Sequence, residues 1–168
     1  MVNSDSRMVY DFPAPYAITS GITILHTELP DYAGDNGTSF EVLDQGGASR
    51  LRVNTDAGRY QVIASDGSIY TGPTLIDVNE PYTIAVSINA SADSLDLYVN
   101  GLKATGVSCP ASTTALSRIA FGNQATDGTT DNLQANTCMQ VVYARKLSDE
   151  EVGMASSICR TVVEESDW

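Results

Sequence analysis

Few residues in this chain could do chemistry. His26 is its single histidine. A Ser-His-Asp triad would need it as general base, yet no G-x-S-x-G nucleophile elbow occurs in the sequence. Glycosidic hydrolysis needs two carboxylates flanking one bond, as an acidic run along a strand would supply. The dense run Asp149-Glu150-Glu151 is better suited to capping a helix, and Glu41 and Glu80 stand alone. The residues therefore read as non-enzymatic. Hard cations are the stronger prospect, because calcium takes oxygen ligands from Asp, Asn and backbone carbonyls in loops. One polar loop offers Asp31, Asp35 and Asn36, another Asp127, Asp131 and Asn132. The four aspartates are the candidate Ca2+ ligands, although EF-hand spacing is absent and such loops are also ordinary turn chemistry. Sugar rings stack on exposed aromatics, and Tyr32 and Tyr70 are the candidate glycan contacts, with Trp168 a looser one. Tyr10, Phe12 and Tyr16 cluster near the N-terminus as candidate anchors on a protein partner.

Cys109, Cys138 and Cys159 are widely spaced, with no CxxC or His-containing cluster to make a zinc site. They allow either one disulfide plus a thiol or three buried thiols behaving as small hydrophobes. The 168 residues suit one domain with a substantial core. A formal charge of −12 would be repelled by nucleic-acid phosphates and by anionic membranes, which excludes both as expected partners. No stretch approaches the roughly 20 apolar residues of a membrane helix. The opening MVNSDSRMVYDF lacks an apolar h-region, so a secretory signal is not expected there.

The elements that would position these groups read as strands. In Tyr82–Gly101, Tyr82, Ile84, Val86 and Ile88 alternate with polar or small residues, and Leu95, Leu97 and Val99 repeat the pattern. Asn100-Gly101 supplies the two positive-φ residues of a type I′ hairpin turn, with 102–107 returning as a strand. Upstream, residues 1–16 read as an arm or first edge segment, since Pro13 and Pro15 forbid a central strand. Residues 17–27 form a strand that puts Ile22, Ile24 and His26 on one face, followed by a loop over 29–38. Short strands are expected at 39–43, 50–54, 60–65 and 68–70, punctuated by Gly46-Gly47, Ala57-Gly58 and Asp66-Gly67. Residues 72–81 read as a crossing segment. Strands at 117–122 and 137–143 flank a long polar loop. Ser148 with Glu151 forms a capping box, stapled by Leu147 and Val152, before a helix running to about Val162. Its inward positions are expected to be Val152, Ala155, Ile158 and Val162. Residues 164–168 are an acidic tail, leaving 17–163 as one domain.

Four ordered motifs resemble the laminin-G-like, or concanavalin-A-like, jelly-roll family. Residues 82–87 with SLDLYVNG (94–101) are similar to that family's "WHHVAVTY" strand and "LRLYVDG" hairpin. Arg118–Gly122 is similar to "IRIG", and VYARKLSDEEV (142–152) to "VYNRALSDEEI". Met139 and Gln140 stand where the family has an Asp-Glu pair. The resemblance implies an all-β, antiparallel two-sheet jelly-roll sandwich with one short C-terminal helix, and calcium at a sheet rim.

On these grounds the expected function is that of a non-enzymatic structural protein of a virus particle. It would be a phage capsid decoration, head-fibre or tail protein made in the host cytoplasm. Its partners would be other virion proteins of capsid or tail, with host-glycan contact and homo-oligomerisation as further expectations. The alternative is an extracellular carbohydrate-binding or adhesion module of a larger secreted protein, and third comes a glycan lyase or hydrolase fragment.

Overall fold

The computed structural model describes residues 8–30, 37–78, 80–89, 94–104, 115–122 and 135–164. In chain order the elements are β1 (Met8–Tyr16), β2 (Ile22–Pro30), β3 (Thr38–Asp44), β4 (Ser49–Asp56), β5 (Arg59–Ala64) and β6 (Ile69–Leu75). They continue with β7 (Tyr82–Ile88), β8 (Leu95–Val99), β9 (Leu102–Lys103), β10 (Leu116–Phe121), β11 (Ala135–Tyr143) and α1 (Asp149–Glu164). One sheet, A, has the order β1-β10-β3-β4-β5-β6 and the other, B, has β11-β2-β7-β8-β9. Every pairing is antiparallel. The architecture is the two-sheet sandwich with one C-terminal helix that the motifs imply.

Period-two alternation drives this arrangement, because successive side chains on a strand point to opposite faces. Ile22 and Ile24 of β2, Phe40 and Val42 of β3, Leu51 and Val53 of β4, and Ile84 and Val86 of β7 meet between the sheets. The Asn100-Gly101 turn takes the positive φ values of 52° and 78° that its sequence predicts. A Cβ on Gly101 would come within 2.9 Å of the Gly153 Cα, so the turn can lie this close to the helix only because residue 101 is glycine.

Several boundaries differ from the sequence reading. Residues 17–21 are a turn, and β2 runs on to Pro30. β6 continues through Gly72 to Leu75, where a crossing segment was expected, while β9 covers two residues. The remainder of the expected 102–107 strand falls largely outside the described residues. Residues 8–16 form an edge strand, paired with β10 on one side.

α1 begins as its signals dictate. The Ser148 N–H donates to Glu151 Oε2 at 2.8 Å and the Glu151 N–H to Ser148 Oγ at 3.2 Å, closing the capping box. Hydrogen bonds from Arg145 and then from the Ser148 N–H hold the Glu151 carboxyl down to about 2. The helix lies on the outer face of sheet B, with Leu147 and Val152 packed on Leu25, Ala85 and Tyr98. Its inward face is the expected one at Val152 and, half-buried, at Ala155, but not further along. Val152, Ser156, Cys159 and Val163 are buried, whereas Ile158 and Val162 are 62% and 48% exposed. The staple at Leu147 and Val152 sets the rotation, and stepping on from Val152 at helical spacing brings Ser156 and Cys159 inward.

A polar contact joins the two sheets. Glu28 of β2 and Tyr60 of β5 are both fully buried, and the Tyr60 hydroxyl donates to Glu28 Oε1 at 2.8 Å. The register with β4 shifts between Thr38 and Phe40, and the intervening Ser39 donates its hydroxyl to the same oxygen at 3.3 Å. His26 Nε2 lies 2.9 Å from Glu28 Oε2 but is not aligned for a hydrogen bond. Its ring stacks instead on Phe121, with centroids 5.4 Å apart. Burial, and then the Glu28 charge, push the Tyr60 hydroxyl far above the ordinary phenol range, so it stays a donor. Tyr60→Phe should therefore cost about 1.5–3 kcal/mol, the usual worth of a hydrogen bond to a charged group. Urea unfolding measures this, and a loss under about 0.5 kcal/mol would show that the contact does not bind the sheets.

Candidate functional site

The outer faces of the two sheets differ. Helix α1 covers that of sheet B, while no described helix or strand lies over that of sheet A. The sequences of β4 and β5 determine what sheet A presents. Leu51 and Val53 turn inward, so Arg52 and Asn54 turn outward. Tyr60 and Val62 likewise leave Arg59, Gln61 and Ile63 outside. Pairing then assembles these side chains into one patch. Arg52 stands opposite Glu41 of β3 and Ile63 of β5, Asn54 opposite Gln61, Asp56 opposite Arg59, and Gln61 opposite Thr71 of β6. Arg118 of β10 lies further along the sheet and donates to Asp11 at 2.5 Å.

The patch has a buried polar floor. Glu41 is 1% exposed, and Asn54 and Gln61 are each 8% exposed, although all three point away from the core. Gln61 Nε2 donates to Asp56 Oδ2 at 2.8 Å. Asn54 Oδ1 is buried without a hydrogen-bond partner. A buried carbonyl oxygen without a donor carries a desolvation cost of about 1–3 kcal/mol. Amides, guanidinium groups and a carboxylate in one plane can both donate and accept, which matches ligands dense in hydroxyl groups.

The residues singled out by sequence are distributed as follows. Asp31, Asp35, Asp127, Asp131 and Tyr32 lie outside the described residues, as do Asn36, Asn132, Trp168 and Cys109. The strands leading to those acidic loops end side by side at one rim. Pro30 is opposite Ala135, Phe40 is opposite Phe121, and the Gly122 N–H donates to the Ser39 carbonyl. Among the described residues, no three His, Cys, Asp or Glu side chains are grouped to hold a metal ion. Tyr70 is half-buried against the core at the β6 edge. Phe12 and Tyr16 stack 5.4 Å apart and also pack on the core, the Tyr16 hydroxyl donating to the Gly21 carbonyl at 2.8 Å. Tyr10 is 44% exposed, edge-on to Phe12. Cys138 and Cys159 are in no disulfide. Sequence reasoning did not single out Arg52, Asn54, Gln61 or Glu28. The alternation in RLRVN and ITILHTELP carries their facing, but their convergence depends on strand register.

No protein-family model matches the chain, and no curated protein matches it. Solved structures do resemble it. A heptameric SAP-like pentraxin from Limulus polyphemus superposes with a TM-score of 0.68 at 10% identity, over 93% of this chain and 84% of that one. A putative carbohydrate binding protein from Bacteroides ovatus gives 0.66 at 16% identity, over 88% of this chain and 43% of that one. A Trypanosoma rangeli sialidase gives 0.66 at 15% identity, over 82% of this chain and 23% of that one. The chain thus spans most of the pentraxin but less than half of the other two. At these identities the likeness shows the fold, a two-sheet jelly-roll sandwich of the concanavalin-A-like kind.

Burial raises both described thiols above the ordinary cysteine range. Cys159, 4% exposed under the helix, should therefore resist alkylation at pH 7 in the native protein and react once it is unfolded. Peptide mapping after iodoacetamide treatment checks this. Rapid native labelling would contradict the packing of α1 on sheet B.

Proposed function

We propose that this chain is a carbohydrate-binding or adhesion module, and that the outer face of sheet A is its contact surface. The observation carrying this reading is the buried polar floor of Glu41, Asn54 and Gln61, with the Asn54 oxygen unpartnered and Arg52 and Arg59 beside it. Such a surface recognises a ligand by hydrogen bonding and supplies no nucleophile. His26 and Glu28, which might otherwise pair as base and orienter, are sealed in the core. In this reading the module binds its ligand without turnover. The structural likeness to a putative carbohydrate binding protein supports the same class of ligand. The laminin-G-like branch of the fold is the particular relationship that the 82–152 motifs favour. Calcium on Asp31, Asp35, Asp127 and Asp131 belongs to this proposal, because the two loops bearing them leave strands that end side by side at the rim. In this reading the protein works outside the cell.

A second reading, a structural protein of a virus particle, draws on strand β1. Met8 and Tyr10 are 52% and 44% exposed there, and Phe12 and Tyr16 back them, as an anchor on another particle protein would require.

A glycan array probed with the wild type, with and without a calcium chelator, tests the first reading. Retained binding should fall about tenfold in Asn54→Ala, the scale of one hydrogen bond. Arg52→Ala should lower it similarly, while Ile69→Ala on the β6 edge should leave it unchanged. No retained glycan, or binding indifferent to both floor substitutions, would overturn it. Loss on chelation would place calcium in the site.

A further inference from the structure

Asn100-Gly101 does more than close a hairpin. A glycine amide has no Cβ beside it, so its nitrogen can reach the side-chain carbonyl carbon of a preceding asparagine. The chain has two such pairs, Asn36-Gly37 and Asn100-Gly101, and the second lies wholly within the described residues. The reaction open to them is deamidation. At Asn100, the Gly101 nitrogen gives up its proton to water or hydroxide and attacks Asn100 Cγ, and the new C–N bond closes a five-membered imide. The Cγ–Nδ2 bond breaks and Nδ2 leaves as ammonia. Water then adds at either imide carbonyl and opens the ring. One product is aspartate, the other isoaspartate, whose backbone runs through Cβ and Cγ and is a carbon longer.

The fold holds the reacting groups apart. A type I′ turn sets ψ of its first central residue at about +30°, which leaves the Gly101 nitrogen nearly anti to Asn100 Cβ. The side chain is tied to β7 as well. The Thr83 N–H donates to Asn100 Oδ1 at 2.9 Å, and the Asn100 N–H donates to the Thr83 carbonyl at 2.8 Å. Ring closure must turn Asn100 out of this conformation and carry Gly101 with it. Helix α1 stands in the way, since a Cβ on Gly101 would already lie 2.9 Å from Gly153 Cα. The start of the helix is pinned there from both sides of the turn. The Tyr98 hydroxyl donates to Asp149 Oδ1 at 2.7 Å, and Lys103 Nζ lies 3.4 Å from the same oxygen.

We propose that Asn100 is a deamidation site gated by the docking of α1, spared while the helix sits on the turn and modified when the two separate. The two products then diverge. Aspartate keeps an oxygen for the Thr83 N–H and leaves the turn its length, so the helix docks again. Isoaspartate lengthens a turn that already meets Gly153 at close approach, so α1 no longer seats and Leu147 and Val152 lose packing on Tyr98. The corner thus keeps a one-way record of its own opening. It does so independently of what sheet A binds, because it belongs to the other sheet.

Peptide mapping by mass spectrometry, with fragmentation that separates aspartate from isoaspartate, follows Asn100 in the full chain in mildly alkaline buffer, folded and in guanidinium. Asn36-Gly37 in the guanidinium sample calibrates the unhindered rate. Asn100 should match it there and convert about tenfold or more slowly in the folded chain, the suppression that a local opening equilibrium imposes. Asp149→Ala and Tyr98→Phe, each checked as folded by circular dichroism, should raise the folded rate severalfold. Asn100→Asp should keep the wild-type unfolding midpoint, while isoaspartate-bearing chain, separated and refolded, should melt lower. Equal rates at Asn100 in folded and unfolded chain would overturn the proposal. So would no conversion in guanidinium, or a folded rate indifferent to both substitutions.

Discussion

A carboxylate withdrawn from water between two sheets must be met by donors at fixed distances, or it costs several kcal/mol. At Glu28 one oxygen, Oε1, is held in that way, while Oε2 has the unaligned His26 Nε2 2.9 Å away. Tyr60 reaches it from β5 and Ser39 from β3, both in the opposite sheet, while the His26 ring stacks on Phe121 beside it. Oil-like packing along the rest of the core would tolerate small slides of one sheet over the other. Directed contacts to a single oxygen do not. They fix the sheets against each other at the rim where β2, β3, β10 and β11 hand over to the acidic loops. The position of that rim relative to the floor of sheet A therefore follows from the same few atoms.

The two outer faces then divide the remaining work. The helix closes sheet B with an apolar contact centred on Leu25, Ala85, Tyr98 and Val152. Thr23–Ser87 and Thr27–Thr83 hydroxyl pairs satisfy the polar groups beneath it. Sheet A keeps arginines and amides outside, with Ile63 among them, and turns Phe40, Val42, Leu51, Val53 and Val62 inward. A polar face on one side and a helix-covered face on the other suit a module that presents one surface to a ligand.

Local signals in the sequence were readable because their physics is local. The Asn100-Gly101 turn needs two adjacent positive φ angles, and the Ser148–Glu151 box closes within one helical turn. The inward face shared by Ile22, Ile24 and His26 follows from parity alone. Glu28 obeys the same parity, yet its role depends on Ser39 and Tyr60, eleven and thirty-two positions away, and on the shifted register at Ser39. The helix shows the limit from the other side. Ile158 and Val162 are the stronger hydrophobes, but the staple turns them outward and buries Ser156 and Cys159 instead. In sequence Arg52, Asn54 and Gln61 are only the polar positions of alternating strands. Only the pairing of β4 with β5 makes them one surface.

The most direct test of this account is an NMR titration of the isotopically labelled chain with a glycan that it retains. The account predicts that chemical-shift changes concentrate on the outward residues of β3, β4 and β5, with the Asn54 and Gln61 side-chain amides among the largest, and that α1 stays silent. Shifts centred on α1 and sheet B, with β4 and β5 unmoved, would contradict it.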